Sequence, residues 1–356
     1  MLSFGFLTLN KNIERKYYTE VAKRALTTTT EVFCFSPADI DPNTELVNGE
    51  IFNSINCNWE RASFPIPNYL YDRCFYATEE QFRKYSPIVN WLKKRRNTTF
   101  IGYGLPNKWE IYKILSEHPI LNYYVPHSII ATEPSHILKF LKKYQKVLLK
   151  PINGSQGKGI VALSLKEGRK IELQTHINKQ IIRKDYSNKL LLSNWLKKLI
   201  TTHSYLVQPL LNLQDHDHQC FDIRVLVQKN KPDQWIEIGR GIRKGQPGFL
   251  ISNLHSGGTV HSFKKWLKTY NHHERVLIKD DIKTIVSHLP TILEQNFGPL
   301  FEIGIDIGVA KDRTIWILDT NSKPGHQTIL HLNEKIEDFL YKAPLAYCQH
   351  LELQRS

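Results

Sequence analysis

The sequence has little of what marks secreted, membrane-spanning or metal-finger proteins. Its 356 residues include five cysteines, an odd and scattered set without metal-ligand spacing, which predicts reduced thiols in a cytosolic protein. No apolar run approaches a transmembrane span, and the first residues lack a signal-peptide pattern, so secretion by a signal peptide is not expected. No repeat of solenoid or propeller period is evident.

Several signatures of catalysis and of nucleic-acid binding are also missing. We find no Ser-His-Asp or Cys-His set, and no Walker A loop, because Lys158 is followed by Gly159 and a strand pattern. The net charge of +14 is compatible with an acidic polymer, nucleic acid or an anionic membrane. We prefer the simpler interpretation, solubility together with an anionic nucleotide, and the lack of nucleic-acid motifs argues against nucleic acid.

A glycine-rich turn between two apolar runs is the most informative feature that is present. Residues 147–149 and 160–165 predict strands, and glycine between them lets backbone N–H groups approach phosphates while lysine adds positive charge. The alternative is an ordinary hairpin. The candidate phosphate-binding residues of this turn are Gly154, Ser155, Gly157, Lys158 and Gly159.

A second pair of apolar runs carries acidic and amide side chains. Residues 304–309 and 315–321 predict a hairpin, with Asp306 on one strand and Asp319 and Asn321 on the other. Residues two apart on a strand share a face, so these three side chains can meet. Their oxygens suit Mg²⁺. The alternative is a buried aspartate that accepts hydrogen bonds from turn N–H groups.

Three arginines near the middle of the chain are candidates for catalysis. Asp222 and Arg224 share one face of a predicted strand, where the guanidinium can neutralise charge that develops during phosphoryl transfer. The alternative is that these two residues only pair with each other. Arg240 and Arg243 follow, and either could hold an anionic group of a substrate.

These motifs together resemble those of ATP-grasp enzymes from about residue 107 to about residue 332. Within that superfamily the chain resembles the YheC/YheD family, described as endospore coat-associated proteins of spore-forming bacilli, and residues 66–73 add to the likeness. Residues 253–258 also resemble ribosomal-protein glutamate ligases of the RimK type. The motifs are Lys150-Pro151, the glycine turn, Asp222-x-Arg224, residues 253–258, Asp306 and residues 319–325.

The resemblance implies an α/β (α+β) fold in which two ATP-grasp lobes follow an N-terminal α/β domain. Lys150 looks like the family's phosphate-binding lysine, and Lys108 resembles a second one, although a solvated helix lysine is an equal alternative. Gln208 and Leu210 match the hinge that pairs with adenine through backbone groups. Asn253 matches an asparagine near the reacting groups.

The resemblance also implies ATP and one or two Mg²⁺ ions, with Mn²⁺ as an alternative, in a carboxylate–amine ligase that forms an acyl phosphate. The carboxylate and amine substrates are unknown, with a peptide or protein and spore-coat proteins as candidates. The location would be the mother-cell cytoplasm, the endospore coat or both. Asp319 stands where the family more often has glutamate, and Gln208 where it has an acidic residue. The alternative is therefore a non-catalytic ATP-binding or structural coat protein.

The chain is expected to divide into four parts. Residues 1–105 form the N-terminal domain, 106–205 the first lobe, 206–340 the second lobe and 341–356 a tail. Residues 71–73, Tyr-Asp-Arg, either shape an acceptor site or form a buried Asp–Arg brace.

Overall fold

The computed structural model describes residues 2–25, 30–154, 157–177, 180–232, 234–252 and 257–354. These residues form three β-sheets with helices packed against them. The strands are β1 (Ser3–Leu7), β2 (Glu31–Phe35), β3 (Leu46–Asn53), β4 (Asn58–Pro65), β5 (Tyr69–Asp72), β6 (Thr99–Gly102), β7 (Ile129–Ala131), β8 (Lys146–Pro151), β9 (Val161–Leu165), β10 (Ile171–Ile177), β11 (Gln180–Tyr186), β12 (Tyr205–Pro209), β13 (Phe221–Lys231), β14 (Gln234–Lys244), β15 (Thr259–Ser262), β16 (Glu302–Val309) and β17 (Ile315–Asn321).

The helices begin at residues with the expected capping chemistry in several cases; the Asn107 side chain, for example, accepts hydrogen bonds from the first turn of α3. Within the described ranges, no helix is both long and apolar enough to cross a membrane. The helices are α1 (Arg15–Arg24), α2 (Glu79–Lys93), α3 (Lys108–Glu117), α4 (Pro134–Tyr144), α5 (Lys189–Thr202), α6 (Phe263–Leu267), α7 (His272–Phe297), α8 (Gln327–Leu332) and α9 (Glu337–Leu353).

The first sheet has the strand order β4-β3-β2-β1-β5-β6, and its core is completed by the last helix of the chain. Tyr341, Leu345 and Tyr347 of α9 are buried together with Phe4 and Phe6 of β1. The expectation of a tail from residue 341 is therefore wrong as far as residue 353. The physical reason is that α9 presents a continuous apolar face, and burial of that face stabilises the helix.

The second sheet has the order β11-β10-β9-β8-β12-β7 and is covered on one face by α4 and α5. Because side chains alternate along a strand, Val147 and Leu149 pack under these helices, whereas Leu148 and Ala162 face the other way. β12 lies between β8 and β7, so the expected boundary between residues 205 and 206 falls inside a strand of this sheet.

The third sheet has the order β15-β14-β13-β16-β17, and its core side packs against α7. Ile111 and Leu115 of α3 belong to this core, although α3 precedes the second sheet in the chain. The expected hairpin of β16 and β17 is present, with Asp306 directly opposite Asp319. The opposite face of the third sheet therefore carries the polar side chains.

Candidate functional site

A cleft of about 2780 Å³ lies among the three sheets. It contains every sequence-predicted site residue that the structure describes, apart from Arg240. Those lining residues are Lys108, Lys150, Gly154, Gly157, Lys158, Gly159, Gln208, Leu210, Arg224, Arg243, Asp306, Asp319 and Asn321.

The two carboxylates of the candidate metal site face each other across the β16–β17 hairpin. Asp319 forms an ion pair with Lys108, and Oδ1 of Asp306 is buried without a hydrogen-bond partner among the described residues. Within the described ranges, no three His, Cys, Asp or Glu side chains are placed to hold one metal ion, so a metal here would need the Asn321 amide as its third protein ligand. Hard oxygen ligands with an unsatisfied carboxylate oxygen fit Mg²⁺.

Arg224 and Arg243 both approach Asp306 but differ in their other contacts. Arg243 donates two hydrogen bonds of 2.7 Å to Asp222, and its Nη2 lies 2.9 Å from Asp306. Nε of Arg224 forms an ion pair with Oδ1 of Asp306 at 2.9 Å, yet without hydrogen-bond geometry, and neither Nε nor Nη1 has a hydrogen-bond partner among the described residues. Asp222 and Arg224 therefore do not simply pair with each other, and Arg224 retains donors for an anionic ligand.

Two residues that sequence reasoning missed hold these arginines in place. Ser252 donates a hydrogen bond to Asp222, which orients Arg243. A Cβ at Gly304 would collide with Nη1 of Arg224, so glycine makes room for the guanidinium. The signal available in the sequence was the small residue two positions before Asp306 on the same strand face.

Burial and neighbouring charge set the protonation of the central groups. Burial opposes ionisation of Asp306, but the adjacent Arg224 and Arg243 outweigh it and lower the pKa of this carboxyl. Burial lowers the pKa of Lys150 to about 8, although the Asp319 carboxylate acts in the opposite direction. Nζ of Lys150 donates its only described hydrogen bond to the Leu318 carbonyl oxygen, at 3.4 Å. This weak contact leaves the amine able to bind another acceptor.

The charges of the site favour an anion accompanied by a cation. Four basic side chains converge on three carboxylates in this part of the cleft. The basic groups therefore exceed the carboxylates by one, a balance that favours a ligand of net negative charge, such as a polyphosphate that carries a divalent cation. The basic residues are Lys108, Lys150, Arg224 and Arg243, and the carboxylates are Asp222, Asp306 and Asp319.

The turn between β8 and β9 requires glycine for both conformation and space. Gly157 and Gly159 have φ angles of 73°, in the left-handed region. A Cβ at Gly157 would collide with Ile251, which reaches over from the third sheet's side of the cleft. Lys158 is exposed, and Ser155 lies outside the described residues.

An apolar wall adjoins the glycine turn and contributes Leu148, Ile160 and Leu210 to the lining of the cleft. Leu148, Ile160 and Ala162 form a buried cluster on the cleft side of the second sheet, with Leu210 packed against it. The backbone N–H of Leu210 donates to the Lys146 carbonyl. The side-chain amide of Gln208 donates a hydrogen bond of 2.8 Å to the Ser128 hydroxyl. The Gln208 side chain is thus already committed within the protein.

Two other candidates do not join this group. Arg240 pairs with Glu237 and lies over the Phe263 ring, because it shares a strand face with the buried Ile242 rather than with Arg243. The structure thus separates Arg240 from the cleft. Asn253 lies outside the described residues.

Residues 71–73 join the first sheet to the third. Arg73 is fully buried. Its guanidinium donates a hydrogen bond of 2.9 Å to Glu302 and one of 2.7 Å to Glu14. Tyr71 donates to Glu302 as well. Asp72 does not form a brace with Arg73; it accepts a 2.7 Å hydrogen bond from Lys323, two residues beyond Asn321. The motif therefore anchors the segment that follows the candidate metal ligands.

Solved structures of ATP-grasp ligases share this fold. An ATP-grasp ligase associated with a ribosomally synthesised peptide in Chryseobacterium gregarium, solved with ADP and a leader and core peptide, has a TM-score of 0.52 and 12% identity, covering 97% of this chain and 96% of that one. The D-alanine–D-alanine ligase of Coxiella burnetii has a TM-score of 0.53 and 11% identity, covering 99% and 96%. The three-sheet architecture is accordingly the ATP-grasp fold with its preceding α/β domain.

Sequence comparison identifies the family to which this chain belongs within the ATP-grasp fold. The endospore coat-associated protein YheC of Bacillus subtilis (strain 168) is 38% identical over 357 residues, which cover 100% of this chain and 98% of that protein. The YheC/D-like ATP-grasp family matches residues 97–351, a span that contains the second and third sheets and the charged centre of the cleft. The chain therefore belongs to the YheC/D-like ATP-grasp family.

Proposed function

We propose that this protein is an ATP- and Mg²⁺-dependent carboxylate–amine ligase that works through an acyl phosphate. The observation that carries the proposal is the buried centre of the cleft, where Nη1 of Arg224 has no hydrogen-bond partner among the described residues and Oδ1 of Asp306 has only the ion pair with Nε of Arg224. Buried polar groups in proteins are generally hydrogen-bonded, so unpaired ones that line a cleft are places where a ligand, an ion or water would bind. A nucleotide phosphate and its metal ion supply both partners at once.

In the proposed reaction a substrate carboxylate oxygen attacks the γ-phosphorus of ATP and the bond to ADP breaks. An amine nitrogen then attacks the acyl carbon, phosphate leaves with the bonding electrons, and the amine loses a proton. Lys150 and Lys108 orient the phosphates, and Arg224 neutralises charge on the transferred group. Mg²⁺, or Mn²⁺, held by Asp306, Asp319 and Asn321 would neutralise phosphate charge; the shorter Asp319 favours one ion over two.

The nucleotide and substrate positions follow from the same geometry. The second and third sheets are the two lobes that enclose ATP, with adenine against the wall formed by Leu148, Ile160 and Ala162. Arg243, anchored by Asp222, faces the acyl phosphate. A peptide or protein is the proposed carboxylate or amine substrate, since the cleft volume of about 2780 Å³ exceeds the usual size of a small-molecule site. Work on coat proteins in the mother cell, or in the coat itself, is consistent with the names of the relatives.

Thermal unfolding with ATP, with and without Mg²⁺, is the first test. Ligand at about 100 times its Kd adds roughly 2.7 kcal/mol to the free energy of unfolding. The wild type should gain this stabilisation only with the metal, and Asp306→Asn should lose it. Asp280→Asn, which removes an exposed charge from α7, is the matched control and should behave as the wild type. A metal-independent shift that Asp306→Asn retains would contradict the proposed site.

Turnover is tested separately by screening carboxylates with hydroxylamine as the amine. An acyl phosphate would be trapped as a hydroxamate, with one ADP released for each. If ATP stabilises the protein but no ADP is formed with any amino acid or peptide tried, the result would favour the second candidate function, a non-catalytic ATP-binding or structural coat protein. The observation that favours this alternative is Asp319, which pairs with Lys108 and has a shorter side chain than the glutamate common in the family.

A further inference from the structure

The positive charge of the chain is concentrated in one part of it. Residues 106–205 contain seventeen lysines and arginines against six aspartates and glutamates, a net charge of +11 out of +14. Six of these basic side chains line the cleft, so nucleotide binding accounts for only part of the excess. The lysines that lie outside the cleft are not explained by nucleotide binding.

Much of the excess lies on the two helices that cover the second sheet. Neither α4 nor α5 contains an acidic residue between its first and last positions. Besides Lys189 at the first position of α5, five exposed lysines project from them. In the described ranges none of the five forms an ion pair, whereas lysines elsewhere, such as Lys244 with Asp215, do. The five are Lys139, Lys142, Lys143, Lys197 and Lys198.

Two leucines are exposed among these lysines. Leu190 is 67% exposed and Leu191 is 59% exposed. Seven residues later in α5 come Lys197 and Lys198, and a spacing of seven returns to the same side of a helix. The opposite side of α5 already supplies Leu192 and Leu196 to the core, so the outer leucines are additional to what folding requires.

This surface faces away from the cleft. The strand residues that pack under α4 and α5, such as Val147 and Leu149, alternate with Leu148, which faces the cleft. A large partner could therefore cover the helices while ATP and substrate enter from the other side. We call this surface the α4–α5 face; it consists of Lys139, Lys142, Lys143, Leu190, Leu191, Lys197 and Lys198.

We propose that the α4–α5 face binds the surface of an anionic lipid bilayer. Unpaired lysines attract acidic headgroups, and two adjacent exposed leucines can enter the boundary between headgroups and acyl chains. Charge alone would equally suit an acidic polypeptide; the outward leucines favour the bilayer. The inference does not depend on ligase activity.

Co-sedimentation of the full chain with vesicles tests the proposal. The protein should bind vesicles of equal parts phosphatidylglycerol and phosphatidylcholine, and not vesicles of phosphatidylcholine alone. Each lysine near an anionic surface contributes roughly fivefold to binding. Lys142→Gln, Lys197→Gln and Lys198→Gln together should lower the affinity at least about tenfold. The matched control is Lys264→Gln, Lys265→Gln and Lys268→Gln, which removes the same charge at exposed positions in and just after α6. It should stay within about twofold of the wild type.

The leucines are tested at high salt, where the electrostatic part of the binding is screened. Leu190→Asn with Leu191→Asn should abolish the binding that persists there. Equal losses in the two lysine variants would overturn the proposal, because net charge rather than this face would then matter. Binding to polyglutamate but not to vesicles would overturn it in favour of an acidic polypeptide. Unchanged thermal stabilisation by ATP in all variants would show that the fold and the cleft are intact.

Discussion

The basic residues of the cleft differ in how strongly the protein already engages them. Arg243 is held by two carboxylates, and Lys108 is paired with Asp319. Lys150 has only a 3.4 Å contact with a carbonyl oxygen, and Arg224 has one ion pair, with Asp306, while its Nη1 has no hydrogen-bond partner among the described residues. The last two residues are therefore the ones whose interactions should change most when an anion binds.

Lys150 gives a prediction about pH. Because burial lowers the pKa of its amine to about 8, the free protein loses this charge as pH rises through that value. ATP binds the charged form, so affinity should be constant below this pKa and fall up to about tenfold per pH unit above it. Measuring the Kd for ATP with Mg²⁺ between about pH 7 and about pH 9.5 checks this.

Lys150→Arg is the control for that experiment, since arginine stays charged over the same range. Its affinity should show no fall that begins near the lysine pKa, whatever its absolute value. Lys108, Asp306 and Asp319 also act on Lys150, and they remain in both proteins. The same decline in wild type and variant would assign the pH dependence to another group.

At the scale of single elements, the glycine turn lies directly against the loop that reaches over from the third sheet. Gly157→Ala should lower ATP affinity by more than about tenfold. The left-handed backbone costs an alanine about 1–2 kcal/mol, and its Cβ would displace Ile251. Isothermal titration with ATP and Mg²⁺ measures the effect.

Gly168→Ala separates the two causes. Gly168 has a φ of 67°, yet a Cβ there would meet no atom within 4 Å. The free energy of unfolding of this variant should fall by a similar amount, because its backbone is also left-handed. Its affinity for ATP should equal that of the wild type. A comparable loss of affinity in both variants would mean that contact with Ile251 is unimportant.

The helix α9 gives a second prediction at this scale. Leu345 is 2% exposed in the core of the first sheet, whereas Leu353 of the same helix is 73% exposed. Leu345→Ala should lower the free energy of unfolding by about 2–5 kcal/mol. Leu353→Ala should change it by less than about 0.5 kcal/mol. Urea unfolding of both variants measures the difference, and similar values for the two would contradict the packing of α9.

At the scale of the whole molecule, the buried group around Arg73 ties the first sheet to the third. Arg73→Met should lower the free energy of unfolding by about 3–5 kcal/mol, because it leaves Glu302 buried with one cation fewer. Arg83→Met, which breaks an exposed pair with Glu79, should cost at most about 1 kcal/mol. Chemical denaturation compares the two. Equal effects would show that Arg73 carries no interdomain role.

Local patterns predicted the parts of the molecule that depend on neighbouring residues. The β16–β17 hairpin and the opposition of Asp306 and Asp319 follow from two apolar runs joined by a short polar turn. The glycine turn is likewise contiguous in sequence. These features need no knowledge of distant contacts.

The features that local sequence patterns did not predict depend on contacts between residues far apart in the chain. Arg73 and Glu302 are 229 residues apart, so no local pattern links residues 71–73 to the third sheet. The partners of α9 are similarly remote, and α3 packs on a sheet that follows it in the chain. Arg240 is a different case, because strand parity alone separates it from Arg243 and could have excluded it.

The packing of α9 against β1 has a consequence for synthesis on the ribosome. The first sheet is translated before the cleft, but its core lacks Tyr341, Leu345 and Tyr347 until the final helix has left the exit tunnel. The second sheet, with its own core under α4 and α5, has no such requirement. The nascent chain should therefore complete its middle portion first and its beginning last, in contrast to the usual vectorial order.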